Sequence, residues 1–212
     1  MLTLYYFTPA CSTVSHIVLE ESGLAYEAKL ARPGNAEERA ELIAINPRGT
    51  VPTLKVGDIA LTENVAIMSY VAGQAREVEL MPRDPMEQAQ CLSFLAWCSN
   101  TVHISFRQWA LPMRFSPDET AHAGLKDSAR DSFWGFLQQI DARLQQGDWI
   151  MGDQYSVADS YPLVFYGWSI LAGLPVKELA ALTSFKTAML ERPAVQTVLQ
   201  REESILLRQQ DG

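Results

Sequence analysis

Apolar positions in the first third of the chain change spacing several times, and each change marks a different predicted element. The apolar run 2–7 is typical of a strand, and apolar residues at helical spacing follow it over 12–22. Further strands are predicted at 26–31, 51–56 and 59–61, with helices at 36–45 and after a cap at 62–64. Strands joined through a helix are expected to be parallel, and the two strands around the hairpin signal Gly57-Asp58 antiparallel. The order βαβ-ββα therefore predicts a four-stranded mixed sheet.

Beyond about residue 75 the pattern is helical throughout. Residues 76–86 are polar and include Pro82 and Pro85, which is typical of a linker. Apolar residues then recur at three- and four-residue steps, and helices are predicted at 86–109, 117–146, 156–171, 176–190 and 194–208. We therefore expect an α/β domain of thioredoxin-like type at 1–76, a linker at 77–86 and an all-α domain at 87–212.

Composition excludes several classes of function. Of the 212 residues, 48% are hydrophobic and 20% are charged, as in ordinary globular proteins. The net charge of -8 argues against a nucleic-acid partner. No apolar run approaches the ~20 residues of a membrane span, and the first residues lack the layout of a signal peptide. Three cysteines, of which Cys91 and Cys98 lie seven residues apart on one predicted helix, argue against a disulfide framework, so a reducing cytoplasm is the expected location. No metal site is predicted.

Cys11 lies where the first predicted strand turns into the first predicted helix. Unpaired backbone N–H groups and the positive end of the helix dipole stabilise a thiolate at such a position. They can lower a cysteine pKa well below its free value of about 8.5. Val14 stands where a Cys-x-x-Cys motif would have its second cysteine, so a lone thiol would suit a mixed disulfide. The alternative is a small, inert core residue, which is what most unpaired cysteines are.

A second local pattern, Ser156-Val157-Ala158-Asp159, predicts a helix start rather than a reactive site. Serine at the N-cap and an acidic residue three positions later form a capping box, in which each side chain accepts a hydrogen bond from the other's backbone N–H. Such a cap stabilises a helix by about 1 kcal/mol.

Taken in order, these motifs resemble the cytosolic glutathione transferases, and the bacterial beta class in particular. The resemblance extends over nearly the whole chain. It rests on Tyr6, the turn 9–12, the stretch 15–17, Asn46-Pro47-x-Gly49-x-Val51-Pro52, Thr62-Glu63 with Ala66-Ile67, Trp149-Ile150-x-Gly152, the Ser156/Asp159 box and Glu191-Arg192-Pro193.

The resemblance implies three catalytic candidates. Cys11 occupies the position nearest the glutathione sulfur, His103 matches a histidine that the family places near the thiol, and Tyr6 matches the strand position of tyrosine-type classes. Cys11 either forms a mixed disulfide with glutathione or only polarises its thiol. Ser12 follows Cys11 directly and is a further hydrogen-bond donor to the sulfur, as in the serine-type theta and zeta classes.

The resemblance also implies how glutathione is bound. The Val51-Pro52 bond is expected to be cis, with the Val51 backbone pairing with the cysteinyl unit like an added strand. Glu63 and Asn64 correspond to the pair that holds the γ-glutamyl end, although the family usually has serine in place of Asn64. No residue clearly matches the family's lysine for the glycyl carboxylate, and Arg32 is the candidate.

We therefore predict a glutathione-dependent transferase that conjugates its co-substrate glutathione to small electrophiles, reduces mixed disulfides, or does both. The alternatives are a zeta-type isomerase or dehalogenase and a non-catalytic binding module. The electrophile would contact aromatic residues of the helical domain, most of which helical spacing also predicts to be core. A homodimer is expected from the family and from the long apolar-faced helix that starts at Met86. The aromatic candidates for contact with the electrophile are Phe106, Trp109, Phe165 and Trp168, together with the adaptable Met113.

Overall fold

The computed structural model describes residues 1–208 and divides them into two compact units. One unit contains residues 1–83 together with the described residues from 190 onward, and the other is Asp84–Met189. The predicted all-α domain ran to the end of the chain, whereas the residues from 190 onward group with the α/β unit. The reason is that the helix Pro193–Arg201 packs against the helix Ser12–Glu21 of that unit.

The α/β unit contains the predicted mixed sheet. Its strand order is β2-β1-β3-β4, with β1 parallel to β2 and β3 antiparallel to both of its neighbours. The parallel β1–β2 pair and the antiparallel β3–β4 pair are those that the sequence predicted, whereas the antiparallel pairing of β1 with β3 was not specified by it. The elements are β1 (Leu2–Tyr6), α1 (Ser12–Glu21), β2 (Tyr26–Leu30), α2 (Ala36–Ile45), β3 (Thr53–Val56), β4 (Ile59–Thr62) and α3 (Asn64–Gln74).

Alternation along β1 separates two layers of this unit. Tyr5 packs with Ala31 and Leu42 of the α2 side, whereas the next residue, Tyr6, lies against His16 of α1. Successive side chains of a strand point to opposite faces, so β1 has a helix on each side. Helix α1 is therefore buried from Ser12 to Leu19 and packs against β1 and α3.

The second unit is helical, and its first long helix is interrupted. The sequence predicted one helix over 86–109, but the backbone changes to a π-helical turn at Cys98–Val102 between two α-helices. The capping box predicted at Ser156 and Asp159 is present, with both reciprocal hydrogen bonds. The helices are α4 (Pro85–Trp97), α5 (His103–Ala110), α6 (His122–Leu144), α7 (Ser160–Leu171) and α8 (Ala180–Leu190).

The last predicted helix, 194–208, is two helices, α9 (Pro193–Arg201) and α10 (Ile205–Arg208). Between them Glu203 adopts a left-handed φ of 49°, and Glu202 turns inward to 2% exposure. The left-handed φ of Glu203 departs from right-handed helical geometry, so α9 ends before it. Helix α9 packs against α1.

None of the helices within residues 1–208 combines the length and the apolar character that crossing a membrane requires.

Candidate functional site

Cys11 directly precedes α1 and is half-buried. The loop before it is closed by Ser12, whose hydroxyl accepts a hydrogen bond from the Phe7 N–H at 3.1 Å and donates one to the Phe7 carbonyl at 2.9 Å. A hydroxyl has one proton to donate, so the Ser12 proton is directed at Phe7. The geometry therefore assigns the fully buried Ser12 to holding the loop, which differs from the expectation that it donates to sulfur.

Two other predicted site segments meet at Cys11. The Cys11 thiol donates to the Val51 carbonyl across 3.6 Å, and the Val51-Pro52 bond is cis, as the resemblance implied. The Asn64 side-chain amide donates to the Cys11 carbonyl at 3.0 Å and accepts from the Ser15 hydroxyl at 2.5 Å. The fold thus brings residues from three distant parts of the sequence to one turn.

Glu63 joins β4 to α3 with an unusual backbone. Its φ of 71° lies in the left-handed region, which is uncommon for residues other than glycine and often marks a functional position. The predicted cap at 62–64 is wrong in one respect, because the Glu63 side chain makes no capping hydrogen bond. Its exposed carboxylate instead lies 3.3 Å from Arg48, whose guanidinium also donates to the Thr62 hydroxyl at 2.7 Å.

The two arginines near this site have different partners. Arg32, the candidate for the glycyl carboxylate, is ion-paired with Glu38 at the start of α2. Arg48 was not selected from the sequence, although it fills the variable position of the Asn46-Pro47-x-Gly49 motif. An exposed cation beside Glu63 is the signal that identifies it, and only the folded chain shows that proximity.

Tyr6 is a packed residue of the same unit. It is 6% exposed, and its ring centroid lies 4.8 Å from that of the fully buried His16. Burial, together with the nearby Glu202 carboxylate, raises the pKa of the Tyr6 phenol. The phenol is therefore protonated at neutral pH and acts as a hydrogen-bond donor rather than as a base.

The other two cysteines are placed very differently from Cys11. Cys91 and Cys98 are both fully buried in the helical unit. Burial, reinforced by the Asp159 carboxylate, raises the pKa of the Cys91 thiol to about 12, and burial raises that of Cys98 well above its ordinary value. Both thiols are therefore protonated at neutral pH and are poor nucleophiles.

His103 begins α5 in the helical unit, directly after the π-helical turn. Burial, and secondly the charge of Arg107, lowers the pKa of His103 to about 4. Its ring centroid is 5.1 Å from that of Trp168. At neutral pH the imidazole is uncharged, so it can stabilise a sulfur anion only by donating a hydrogen bond and not as a cation.

The aromatic candidates of the helical unit form one contiguous cluster. Phe106 and Trp168 are stacked with centroids 4.3 Å apart and planes 14° from parallel. Trp109 contacts Phe106 at 5.4 Å, and Phe165 contacts Trp168 at 5.6 Å. Phe165 is fully buried and Trp168 is 4% exposed, so both belong to the core, whereas Phe106 and Trp109 are half-buried and Met113 is 59% exposed.

An open groove of about 860 Å³ lies elsewhere in the helical unit, between α4, the end of α6 and the segment 149–152. The groove is lined by Phe94, Trp97 and Trp149 among others, and by Arg143, which donates to the Ile150 carbonyl at 2.8 Å. None of the predicted electrophile contacts lines it.

Three comparisons with known proteins agree with this geometry. The profile described as Glutathione S-transferase, N-terminal domain matches residues 1–73. Glutathione S-transferase GstA of Escherichia coli O157:H7 is 30% identical over 208 residues, covering 95% of this chain and 98% of that protein. A glutathione transferase homolog from Sulfitobacter, solved with bound glutathione, superposes with a TM-score of 0.88 at 26% identity, covering 95% of this chain and 98% of that one.

A beta class glutathione S-transferase from Sphingomonas chungbukensis is also similar, with a TM-score of 0.82 at 28% identity and coverage of 94% of this chain and 98% of that one. The likeness extends over both compact units, since the match to the relatives is nearly end to end. The sequence similarity, the fold and the meeting of three motif segments at Cys11 together show that the chain belongs to the glutathione S-transferase family.

Proposed function

We propose that this transferase binds its co-substrate glutathione beside Cys11 and uses the Cys11 sulfur to exchange disulfides with it. The observation that carries the proposal is the meeting of the Cys11 turn, Val51 and Asn64 at one place. Cys11 is also the half-buried thiol, whereas the pKa values of Cys91 and Cys98 are raised by burial. A sulfur that must form and break bonds has to be reachable.

The exchange is balanced without any further reactant. The Cys11 thiolate attacks the glutathione sulfur of a mixed disulfide, a new S–S bond forms, and the other thiol leaves as its thiolate. A second glutathione thiolate then attacks the protein–glutathione disulfide, which releases glutathione disulfide and restores the Cys11 thiolate. The net reaction converts one mixed disulfide and one free glutathione into the released thiol and glutathione disulfide.

We expect glutathione to bind along the Val51 backbone and at Glu63, the residue with a left-handed φ. The Val51 backbone beside the cis proline Pro52 would pair with the cysteinyl part of glutathione as an added strand does. The N-terminus of α3, at Glu63 and Asn64, would hold the γ-glutamyl end, because a helix N-terminus favours a carboxylate and Glu63 favours an ammonium group. The Asn64 side-chain amide already donates a hydrogen bond to the Cys11 carbonyl, so the Asn64 backbone N–H is the group that we assign to the ligand.

Conjugation of small electrophiles is the second activity that we assign to the same site. It requires only a bound glutathione whose thiol is ionised, with Tyr6 and His103 as uncharged hydrogen-bond donors. The half-buried rings of Phe106 and Trp109, which contact each other at 5.4 Å, support an apolar electrophile. Ser12 has no part in this proposal, because its proton is used by Phe7.

The deciding experiment compares wild type with Cys11→Ala and Cys11→Ser in two assays, the reduction of a glutathione mixed disulfide and the conjugation of an activated aryl halide. We expect both variants to lose disulfide reduction completely, because exchange needs the protein sulfur as a covalent partner. They should keep part of the conjugation activity. His103→Ala should weaken both activities moderately.

Two results would contradict the proposal. Full disulfide reduction by Cys11→Ala would exclude the covalent mechanism, and a wild type that shows neither activity and is not retained on glutathione-agarose would be a binding module of another kind. Retention with elution by free glutathione is the result that we expect.

A homodimer is also proposed, on the family resemblance and on the exposed apolar Met86 at the start of α4. Light scattering at micromolar concentration should give twice the chain mass of 23.6 kDa. A mass near that of one chain would rule the dimer out.

A further inference from the structure

The turn that contains Cys11 is tied to the far end of the chain by one buried carboxylate. Glu202, which directly follows α9, is 2% exposed. Its Oε2 accepts a hydrogen bond from the Thr13 hydroxyl at 2.6 Å, and its backbone carbonyl accepts one from the Thr8 hydroxyl at 3.1 Å. Glu202 therefore binds the chain on both sides of Cys11.

A third contact orients the carboxylate. The His16 Nδ1 lies 2.7 Å from Glu202 Oε1, and its Nε2 lies 3.0 Å from Arg201 Nη1. Since a guanidinium only donates, Nε2 must be the acceptor, and the proton of the neutral ring is on Nδ1, where it faces Glu202. His16 is fully buried. Both oxygens of the Glu202 carboxylate are thus held by donors from α1.

We propose that Glu202 is a positioning residue for Cys11, acting through the Thr13 hydroxyl to hold the first turn of α1. The inference rests on the proposed function only in that it takes Cys11 to be the working thiol. Glu202 does not react and has no contact with glutathione in this account. It acts on the backbone that aims the sulfur, because Thr13 is two residues beyond Cys11 and its N–H helps to close the turn, donating to the Ala10 carbonyl at 3.3 Å.

A buried carboxylate near a reactive thiol could act in two opposite ways. As a tether it would hold the turn in its reactive geometry and speed reactions of Cys11. As a charge it would oppose formation of a thiolate and slow them. The structure favours the tether, since both carboxylate oxygens accept hydrogen bonds within 2.7 Å, which offsets their charge locally.

The test measures how fast Cys11 is alkylated by iodoacetamide at neutral pH, without glutathione, by peptide mass spectrometry. Thr13→Val removes the tether but keeps the Glu202 charge, and we expect the Cys11 rate to fall about threefold or more. Thr13→Ser keeps the hydroxyl and should restore a rate within about twofold of wild type. Thr13→Ala is a second variant without a methyl group against the carboxylate, and it should behave like Thr13→Val.

Glu202→Gln separates tether from charge. A glutamine can accept from His16 and donate its amide N–H to the Thr13 hydroxyl, whose proton then goes to the Ala10 carbonyl 3.0 Å away. The tether is kept and the charge is lost, so the Cys11 rate should stay within about twofold of wild type. A severalfold faster rate would show that Glu202 acts by its charge and would overturn the proposal.

Glu21→Gln is the matched control. Glu21 also ties α1 to the C-terminal segment, through a bidentate pair with Arg192 at 2.6 and 2.8 Å, but at the other end of the helix. This variant should be less stable to heat while its Cys11 rate is unchanged. An equal slowing by Glu21→Gln, or no slowing by either Thr13→Val or Thr13→Ala, would contradict the inference.

Two further readouts keep the outcomes distinct. Cys91 and Cys98 are fully buried, so their labelling reports unfolding, and the Cys11 rates are compared only in variants where both stay unlabelled. The alkylation assay contains no glutathione. A wild type without glutathione turnover would therefore remove the proposed function, while the pattern among the Thr13 variants would still decide the role of Glu202.

Discussion

The turn around Cys11 and the helical unit contain the same three kinds of chemical group, and the groups have opposite effects on the thiol in the two regions. Each has a cysteine thiol, an imidazole and a buried carboxylate: Cys11, His16 and Glu202 in one, Cys91, His103 and Asp159 in the other. In the first region the carboxylate is bonded to the imidazole and to the helix behind the thiol. In the second, burial and then the carboxylate raise the pKa of the Cys91 thiol itself.

The difference shows that residue type alone does not decide whether a thiol reacts. The Cys11 sulfur is half-buried, directly precedes a helix and contacts the Val51 carbonyl, so it is not enclosed in a core. A sulfur enclosed in a helical core, with a carboxylate nearby, is kept protonated. The four predictions below test the comparison, from the largest expected effect to the smallest.

The comparison fails outright if the buried thiols react as Cys11 does. In the native protein at neutral pH we expect iodoacetamide to label Cys11 at least about 100-fold faster than Cys91 or Cys98, because labelling of buried thiols requires the core to open. Peptide mass spectrometry over a time course measures the three rates. In urea above the unfolding transition the rates should converge, and equal rates in the folded protein would refute the argument from burial.

Removing the carboxylate of the helical unit should reveal a structural role. Asp159 accepts from the Ile150 N–H at 2.8 Å and from the Ser156 N–H at 2.7 Å, and both donors are buried. Asp159→Ala leaves them without an acceptor, so we expect the free energy of unfolding to fall by about 3 kcal/mol. Urea denaturation measures it.

Asp127, which is exposed on α6, provides the control for that measurement. Asp127→Ala should change the free energy of unfolding by less than about 0.5 kcal/mol. A loss below about 1 kcal/mol for Asp159→Ala would mean that the capping box is dispensable.

The imidazole of the helical unit should make stability depend on pH. The pKa of His103 is about 4 in the folded protein, whereas the ordinary value of 6.5 applies to the unfolded chain. Between these values the unfolded chain binds the proton and the folded one does not, so acidification favours unfolding, and the free energy of unfolding falls as pH drops from 6.5 to 4. His103→Gln should remove about 2 kcal/mol of that fall.

Urea denaturation of wild type and His103→Gln at several pH values over this window measures the two slopes. The variant's stability should decline less steeply on acidification. Parallel curves would show that His103 is not held uncharged by burial.

The smallest effect on stability is expected at the exposed edge of the Cys11 region. The side chains of Arg48 and Glu63 are 64% and 68% exposed, so Arg48→Gln should change the free energy of unfolding by less than about 0.5 kcal/mol. The KM for glutathione should nevertheless rise severalfold, because Arg48 fixes the carboxylate of Glu63.

Arg83, which forms an equally exposed pair with Glu79, is the matched control. Arg83→Gln should leave both stability and KM unchanged. An unchanged KM in Arg48→Gln would exclude Arg48 from the binding site.

Sequence reasoning succeeded where the signal is local. The four-stranded sheet, the directions of the β1–β2 and β3–β4 pairs and the Ser156 capping box follow from spacing within short windows. The cis Val51-Pro52 bond came from the family resemblance and is present. The contacts of Ser12 with Phe7 were not predicted, because a serine beside a cysteine gives no sign of which way its proton points.

The long-range part of the site could not be read from the chain. Glu202 lies in Arg201-Glu202-Glu203, which has the composition of an exposed helix end. Its burial depends on Thr13 and His16, which are more than 180 residues away. Such a pairing has no periodic signature, and Arg48 beside Glu63 was missed for the same reason.

The π-helical turn at Cys98–Val102 determines the direction in which the side chains of α5 point around the common axis of α4 and α5. One extra residue in a helix turns all later side chains by about 100° around the axis. A helical wheel drawn through α4 and α5 as one helix therefore assigns Phe106 and His103 to the wrong sector. Deleting a single residue from this turn would leave α4 and α5 continuous but would turn Phe106 and His103 to another side of the helix. An insertion or deletion there therefore acts mainly by rotating α5 and only slightly by changing its length.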